Sequence, residues 1–266
     1  MAGAAYCSID QIASWNVGQH AINGVVPTRV FSNDTLQYWV GYDTVGKTVI
    51  SAVRGSASTA NWLDNLEFVR TYPYKDKNIG VHDGFHKEYV YLRDSMVVAI
   101  KEAMKISGYK TITPVGHSSG GANAVLLGYE IGHENLIPGL TVKQMNTYGC
   151  PRVGNQAFVD AFHNLGFVHD RVTHYHDIVP HVPEESFGYV HTRGEVWYDE
   201  PSDNYKVCSD LNGEDKTCSN SCGPLSCTSI DDHLTYLKIY LSGCKDGFKE
   251  GEEIHLKDYL DLGGRP

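Results

Sequence analysis

The sequence predicts an α/β fold, with one mostly parallel central sheet covered by helices. Three observations carry that expectation. Short strand-like runs alternate with helical patterns along most of the chain. The stretch Pro114–Gly121, PVGHSSGG, sets a serine among glycines where a strand runs into a helix. Asp177 directly follows another strand-like run, RVTHYH. Sheets of this kind bind ligands beyond the carboxyl ends of their strands, and both Ser118 and Asp177 fall at such ends.

In chain order, Leu36–Val40 and Lys47–Val53 read as strands joined by a turn at Asp43–Gly46. Phe85–Ile106 is a long helical pattern, with Tyr89, Leu92, Met96, Ile100 and Met104 on one face. Thr111–Val115 is a short strand running into the glycines. Its Pro114 is awkward, since proline removes a ladder donor, and fits best where pairing ends. The apolar stretch after Ser118, SGGANAVLLGYEIG, reads as a buried helix. Val142–Tyr148 is a strand, Gln156–Asn164 a helix, and Arg171–His176 a strand. His233–Ser242 reads as a final helix, with Leu234, Leu237 and Leu241 at i, i+3 and i+7. With no internal repeat or low-complexity linker, one domain is expected over 1–244, followed by a polar extension over 245–266.

Composition excludes several function classes. The 266 residues are 41% hydrophobic and 20% charged, enough for a sizeable core. No apolar run approaches the roughly 18 residues that a membrane span needs. The net charge is −10, with scattered Lys and Arg, which argues against nucleic acid or an anionic membrane as the main partner. Met1 precedes AGAAYC, which lacks the basic and apolar regions of a signal peptide, so the chain reads as a mature secreted form with an added Met. Asn33-Asp-Thr35 is a weak glycosylation signal.

The seven cysteines are Cys7, Cys150, Cys208, Cys218, Cys222, Cys227 and Cys244. Cys218-x3-Cys222 and Cys222-x4-Cys227 are near zinc-ligand spacing. The Ser-, Asn- and Gly-rich surroundings fit disulfide staples in a secreted loop better. Cys7 and Cys244 could tie the two ends together. An odd count leaves one thiol free, and Cys150, after a buried-looking strand, is the choice.

A serine hydroxyl is a weak nucleophile and needs a base, which needs an orienting carboxylate. Elbow-type sheets supply these in the chain order Ser, acid, His. Ser118 fits the first role. Asp177, in HDIVPHVP, fits the second, although such an aspartate also caps loops. His233, in SIDDHLTYL, fits the third, although it also reads as a histidine beside two helix caps. His174, His176 and His181 beside Asp177 raise the competing idea of a zinc hydrolase, which leaves the glycines around Ser118 unexplained. An oxyanion needs two donors: the N–H of Ser119, directly after the nucleophile, and Ser56 in VRGSAS, through its N–H and hydroxyl. Beyond it, STANWLDNLEFV sets Trp62, Leu66 and Val69 at i, i+4 and i+7 with Leu63 beside them, and Asn61, Asp64, Asn65 and Glu67 opposite. That short amphipathic helix is either a surface helix packed on the core or a lid that opens at a lipid surface.

Several stretches in order, VRGSASTANWLDNLEF, VHDGFHKEY, TPVGHSSGGANA, NTYGCPRVGN, HDIVPHVP, FGYVHTRGEVWY and DDHLTYL, resemble the fungal class 3 lipases and the related feruloyl esterases, from about Tyr6 to Cys244. The resemblance implies an α/β-hydrolase fold with a mostly parallel central sheet. It implies a triad of Ser118, Asp177 and His233, with oxyanion donors on Ser56 and Ser119. It implies a helical lid over about Ser58–Leu66, including Asn61, Trp62 and Leu63, and a Cys7–Cys244 bridge. It implies no metal and no cofactor, secretion, and a lipid or other ester at an oil–water interface as substrate; a monomer is expected. The chain departs from the pattern at Ser119, where Leu is usual, at Pro114, in the dense cysteine insert, and at Val182-Pro183-Glu184, which lacks a second proline. Ile178-Val179-Pro180 after Asp177, and Trp62 and Leu63 in the lid, lean toward acylglycerol lipases. Hydrolysis of soluble aryl esters, and a non-catalytic lipase-like binding protein, are the alternatives.

Overall fold

A computed structural model describes residues 1–209, 211–223 and 226–244, so the expected 245–266 extension lies outside the described residues. After a short 3-10 turn at Gly3–Tyr6 comes helix α1 (Ile9–Ala13), fixed by a capping box between Ser8 and Gln11. Strands β1 (Val25–Ser32), β2 (Gln37–Asp43) and β3 (Thr48–Val53) pair antiparallel in sequence. Helix α2 (Thr59–Asp64) and a two-stranded ribbon of β4 (Arg70–Thr71) and β5 (Val81–His82) follow. Next come α3 (Asp83–Ser107), β6 (Thr111–His117), α4 (Ser119–Gly132), β7 (Thr141–Val142) and β8 (Gln144–Tyr148). The remainder is α5 (Gln156–His163), β9 (Val168–His174), β10 (Glu195–Tyr198), β11 (Tyr205–Val207), α6 (Ile230–Leu234), β12 (Thr235–Tyr236) and β13 (Ile239–Tyr240).

The main sheet runs in the order β1-β2-β3-β6-β8-β9-β10-β11, with β7 also paired to β6. From β3 to β10 every neighbouring pair is parallel, while β2 and β11 run against the rest. The carboxyl ends of β3, β6, β8 and β9 therefore share one edge of the sheet, and Ser56, Ser118, Gly149 and Asp177 lie in the segments directly after them. Helix α3 buries Phe85, Tyr89, Leu92, Met96, Ala99, Ile100 and Ala103, the face its periodicity predicts, and stops at Gly108 in a left-handed conformation. Helix α4 is buried on all sides against β3, β6 and β8. A second core, around Ala4, Ile12, Trp39 and Ile50, joins the N-terminal segment to the sheet.

Three expectations need correction. The strand expected over Val142–Tyr148 is broken at Lys143, whose N–H donates to the Ile112 carbonyl. Pro114 lies at the matching step on β6, between the Ile112–Val142 and Val115–Asn146 pairs, where pairing on that side lapses; its register with Ser51 on β3 continues. The helix expected over His233–Ser242 ends at Leu234. Leu237 and Lys238 both take positive φ, so the chain reverses in a two-residue hairpin turn, and the helix-like leucine spacing is incidental. Finally, α2 ends at Asp64. Leu66 and Val69 lie in the following segment, with Val69 53% exposed, so the apolar face is Trp62 stacked on Phe85 plus Leu66 packed on the main core.

Candidate active site

Ser118 stands between the end of β6 and the start of α4, at φ 59° and ψ −135°. A non-glycine residue at positive φ is strained, and such strain persists only where its surroundings over-determine it. Here the Ser118 N–H is held by the Tyr148 carbonyl at 3.0 Å, and its own carbonyl accepts from Gly121 N–H at 2.9 Å. A Cβ on Gly120 would collide with the Val53 carbonyl, so the turn needs glycine there. Ser119 opens α4, which leaves its N–H among the unpaired donors of a helix's first turn.

Asp177 follows β9, and His233 lies on α6, capped by Ser229. Both are fully buried. His233 Nδ1 lies 3.0 Å from each carboxylate oxygen of Asp177. A carboxylate only accepts, so Nδ1 carries a proton, and in the neutral form of the ring the lone pair is on Nε2. Among the described residues, neither His233 Nε2 nor Ser118 Oγ has a hydrogen-bond partner. Asp177 Oδ2 also accepts the Tyr236 hydroxyl at 2.5 Å, and Oδ1 accepts the Val179 N–H at 2.8 Å. Burial pushes this carboxyl up, but the charge and hydrogen bond of His233, with the Tyr236 and Val179 bonds, outweigh it and hold the group below its ordinary value. Burial and the adjacent carboxylate push the Tyr236 phenol well above its own. Gly149, at φ 53°, lies against the pair: a Cβ there would come within 2.7 Å of Asp177 Oδ2 and 2.8 Å of His233 Nδ1.

A second chain of hydrogen bonds ties His117, the residue before Ser118, to the loop after β3. His117 stacks on His233 with ring centroids 4.5 Å apart. Its Nε2–H donates to the His233 carbonyl at 2.8 Å, and its Nδ1 accepts the Tyr6 hydroxyl at 2.6 Å. The Tyr6 oxygen in turn accepts the Gly55 N–H at 3.0 Å. Burial, then the nearby His233 charge, lowers His117 to about 3, which keeps it neutral for this role. Ser56 follows Gly55, whose own hypothetical Cβ would lie 2.5 Å from Ser118 Cβ, so the loop expected to hold the oxyanion runs beside Ser118. Ser58 caps α2 through the Asn61 N–H at 3.4 Å, and Trp62, Leu63 and Leu66 are half-buried.

Sequence reasoning singled out Ser118, Asp177 and His233 but missed Tyr6, His117 and Tyr236. Tyr6 and His117 are 111 residues apart, a contact without local signal, and Tyr236 was assigned to a helix it does not occupy. Among the described residues His174, His176 and His181 do not come together as one ligand cluster; His176 lies instead beside Cys222 and Cys227, whose sulfurs are bonded to each other. Strand β9 ends at His174, so its alternation does not extend to His176; both His174 ring nitrogens face backbone carbonyls, of Asp232 and Glu200. Cys208 is bonded to Cys218, Cys222 to Cys227 and Cys7 to Cys244, and Cys150 is the buried free thiol. Among the described residues no helix is long and apolar enough to cross a membrane.

Comparison with known proteins matches residues 50–187 to the family described as lipase (class 3). The chain is 34% identical over 202 residues to a lipase of Rhizomucor miehei, covering 74% of this chain and 54% of that protein. It is 31% identical over 191 residues to the secreted mono- and diacylglycerol lipase A of Penicillium camembertii, covering 71% and 61%. The chain thus spans little more than half the length of the first of these relatives. Among solved structures, lipase II from Rhizopus niveus superposes with a TM-score of 0.80 at 30% identity, covering 92% of this chain and 93% of that one. A triacylglycerol lipase whose catalytic centre is a serine protease triad superposes with a TM-score of 0.79 at 29% identity, with coverage of 92% and 93%. The fold is accordingly the α/β-hydrolase fold, as the alternation of strands and helices predicted.

Proposed function

We propose that this chain, which belongs to the class 3 lipase family, hydrolyses the carboxylic esters of acylglycerols through an acyl-enzyme on Ser118. The observation that carries the reading is the pair of unpartnered atoms at the site. Asp177 fixes the His233 tautomer through Nδ1, leaving Nε2 unpartnered, and the Ser118 hydroxyl, one residue after the His117 ring that stacks on His233, is unpartnered as well. His233 takes the proton as Ser118 Oγ attacks the acyl carbon. Asp177 orients the ring and stabilises its charged form. Ser119 N–H and Ser56 receive the oxyanion. The intermediate collapses, His233 protonates the leaving alkoxide, and the glycerol alcohol departs. Water, deprotonated by His233, then attacks the acyl-enzyme and releases the acid and Ser118.

The lipid substrate is supported by the named activities of the relatives and by the covered nucleophile. Ser118 is 1% exposed, so an ester reaches it only after a neighbouring segment moves. The segment from Ser58 to Leu66, with Asn61 outside and Trp62 and Leu63 on its half-buried side, follows the oxyanion loop and is the lid of this proposal. Opening would expose its apolar side, a change favoured at an oil–water interface. Secretion is supported by the disulfides and by relatives named as secreted.

The test is hydrolysis of tributyrin followed through its solubility limit. A rise in rate as droplets form is the expected result. Smooth saturation below the limit would overturn the interfacial reading and move the substrate class to soluble esters, aryl esters first.

A further inference from the structure

The Cys208–Cys218 loop carries Glu214, a carboxylate only 6% exposed. Its acceptor capacity is filled. Oε1 accepts Arg152 Nε at 2.8 Å and the His191 backbone N–H at 2.9 Å, while Oε2 accepts Arg152 Nη2 and Asn220 Nδ2, both at 2.9 Å. Two of these three partners, Arg152 and His191, grip the loop that begins at Asp177. Arg152 donates from Nη1 to the Pro183 carbonyl at 3.1 Å and from its backbone N–H to the Val182 carbonyl at 2.9 Å. His191 Nε2–H donates to the Pro180 carbonyl at 2.7 Å. From Ile178 to Val182 the loop is wound on itself, with His181 N–H on the Ile178 carbonyl and Val182 N–H on that of Val179. The Val179 N–H, at the start of this winding, is the one held by Asp177 Oδ1. One continuous run of hydrogen bonds thus joins Pro180–Pro183 to the Asp177 carboxylate.

We propose that Glu214 is a positioning residue for ester hydrolysis: from the disulfide-closed insert it holds Arg152 and His191 against the Asp177 loop and so sets the carboxylate that orients His233. The inference rests on the Ser118 reading above, because Asp177 matters to rate only there. Stability alone is a poor reason for such a pair. Buried ion pairs cost much of their attraction in desolvation, and well-packed apolar residues often do as well. What apolar residues cannot do is fix three loops in register through directed bonds.

The experiment is a double-mutant cycle in the full chain, with p-nitrophenyl butyrate as a soluble ester. Glu214→Gln keeps the shape but sets an amide N–H against a ring of donors. It is expected to lower kcat by between about ten- and a hundredfold, the scale of a displaced catalytic group, while KM moves less than about twofold. In an Asp177→Asn background the same change is expected to alter kcat by less than about twofold, since the group it positions is already lost. Equal fold losses in both backgrounds, or a Glu214→Gln enzyme with wild-type kcat, would overturn the proposal. Should Glu214→Gln not fold by circular dichroism, Glu214→Asp, which keeps the charge one methylene short, enters the same cycle under the same criteria. Ser118→Ala separates the two levels. Full hydrolysis by that variant removes the serine reading itself, whereas an inactive Ser118→Ala beside a fully active Glu214→Gln removes only the role of Glu214.

Discussion

Gly149→Ala adds a single methyl group at the point where Asp177 and His233 meet. Two costs follow. The residue sits at φ 53°, where an L-residue other than glycine loses about 1–2 kcal/mol. The new Cβ would also lie 2.7 Å from Asp177 Oδ2 and 2.8 Å from His233 Nδ1. Ordinary contact begins near 3.5 Å, so the pair must give way by roughly 0.7 Å. Both partners are fully buried and cannot swing into solvent. Displacements of this size at a catalytic pair cost up to about a hundredfold in rate. Gly108→Ala separates the two costs, because Gly108 has φ 76° but nothing within 4 Å of its Cβ position. Each variant should lose about 2–4 °C of Tm per kcal/mol of strain. Only Gly149→Ala should lose kcat on p-nitrophenyl butyrate, by between about ten- and a hundredfold, with KM changed little. If Gly149→Ala kept the kcat of Gly108→Ala, the tight Asp177–His233 contact would not be what sets the rate, and the reasoning would fail.

Tyr236→Phe removes a hydroxyl bonded to a buried carboxylate and should cost about 1.5–3 kcal/mol at neutral pH. Because the folded Asp177 is depressed, its stabilisation is complete above the ordinary value of about 4 and is lost as pH falls below it. The variant raises the folded value, so its acid-unfolding midpoint, read by fluorescence, should move to higher pH; an unmoved midpoint would contradict the linkage. His117, lowered to about 3, adds a loss of stability that begins as pH drops through about 6.5, and His117→Phe should flatten that part of the curve. Cys150 is buried, with its thiol pushed up to about 12, so iodoacetamide should modify no cysteine in the native protein and one after denaturation without reductant. Rapid labelling of the native form would place a free thiol elsewhere.

The legible parts of the site were those with a local signature. The strained serine turn has its glycines within a few residues, and Asp177 and His233 follow in the chain order that parallel sheets with this turn impose. The buried face of α3 was legible because its period is helical from Phe85 to Ala103. What escaped notice was set by distant contacts. Leu234, Leu237 and Leu241 mimic a helix, yet positive φ at Leu237 and Lys238 folds them into a hairpin that delivers Tyr236 to Asp177. Tyr6 reaches His117 across 111 residues, and Glu214 meets Arg152 across 62. The insert's cysteines suggested a staple; that the staple encloses a carboxylate clamped onto Arg152 depends on tertiary register, to which no sequence period corresponds.

The proposed hydrolysis depends on acylation of Ser118. The most direct measurement is reaction with a p-nitrophenyl phosphonate ester, with released nitrophenol counted, tributyrin hydrolysis followed in parallel, and the modified peptide mapped by mass spectrometry. One phosphonyl group per chain is expected, located on Ser118, with activity falling in step with labelling and no labelling of a folded Ser118→Ala variant. Label on another residue, or full hydrolysis after Ser118 is modified, would contradict it.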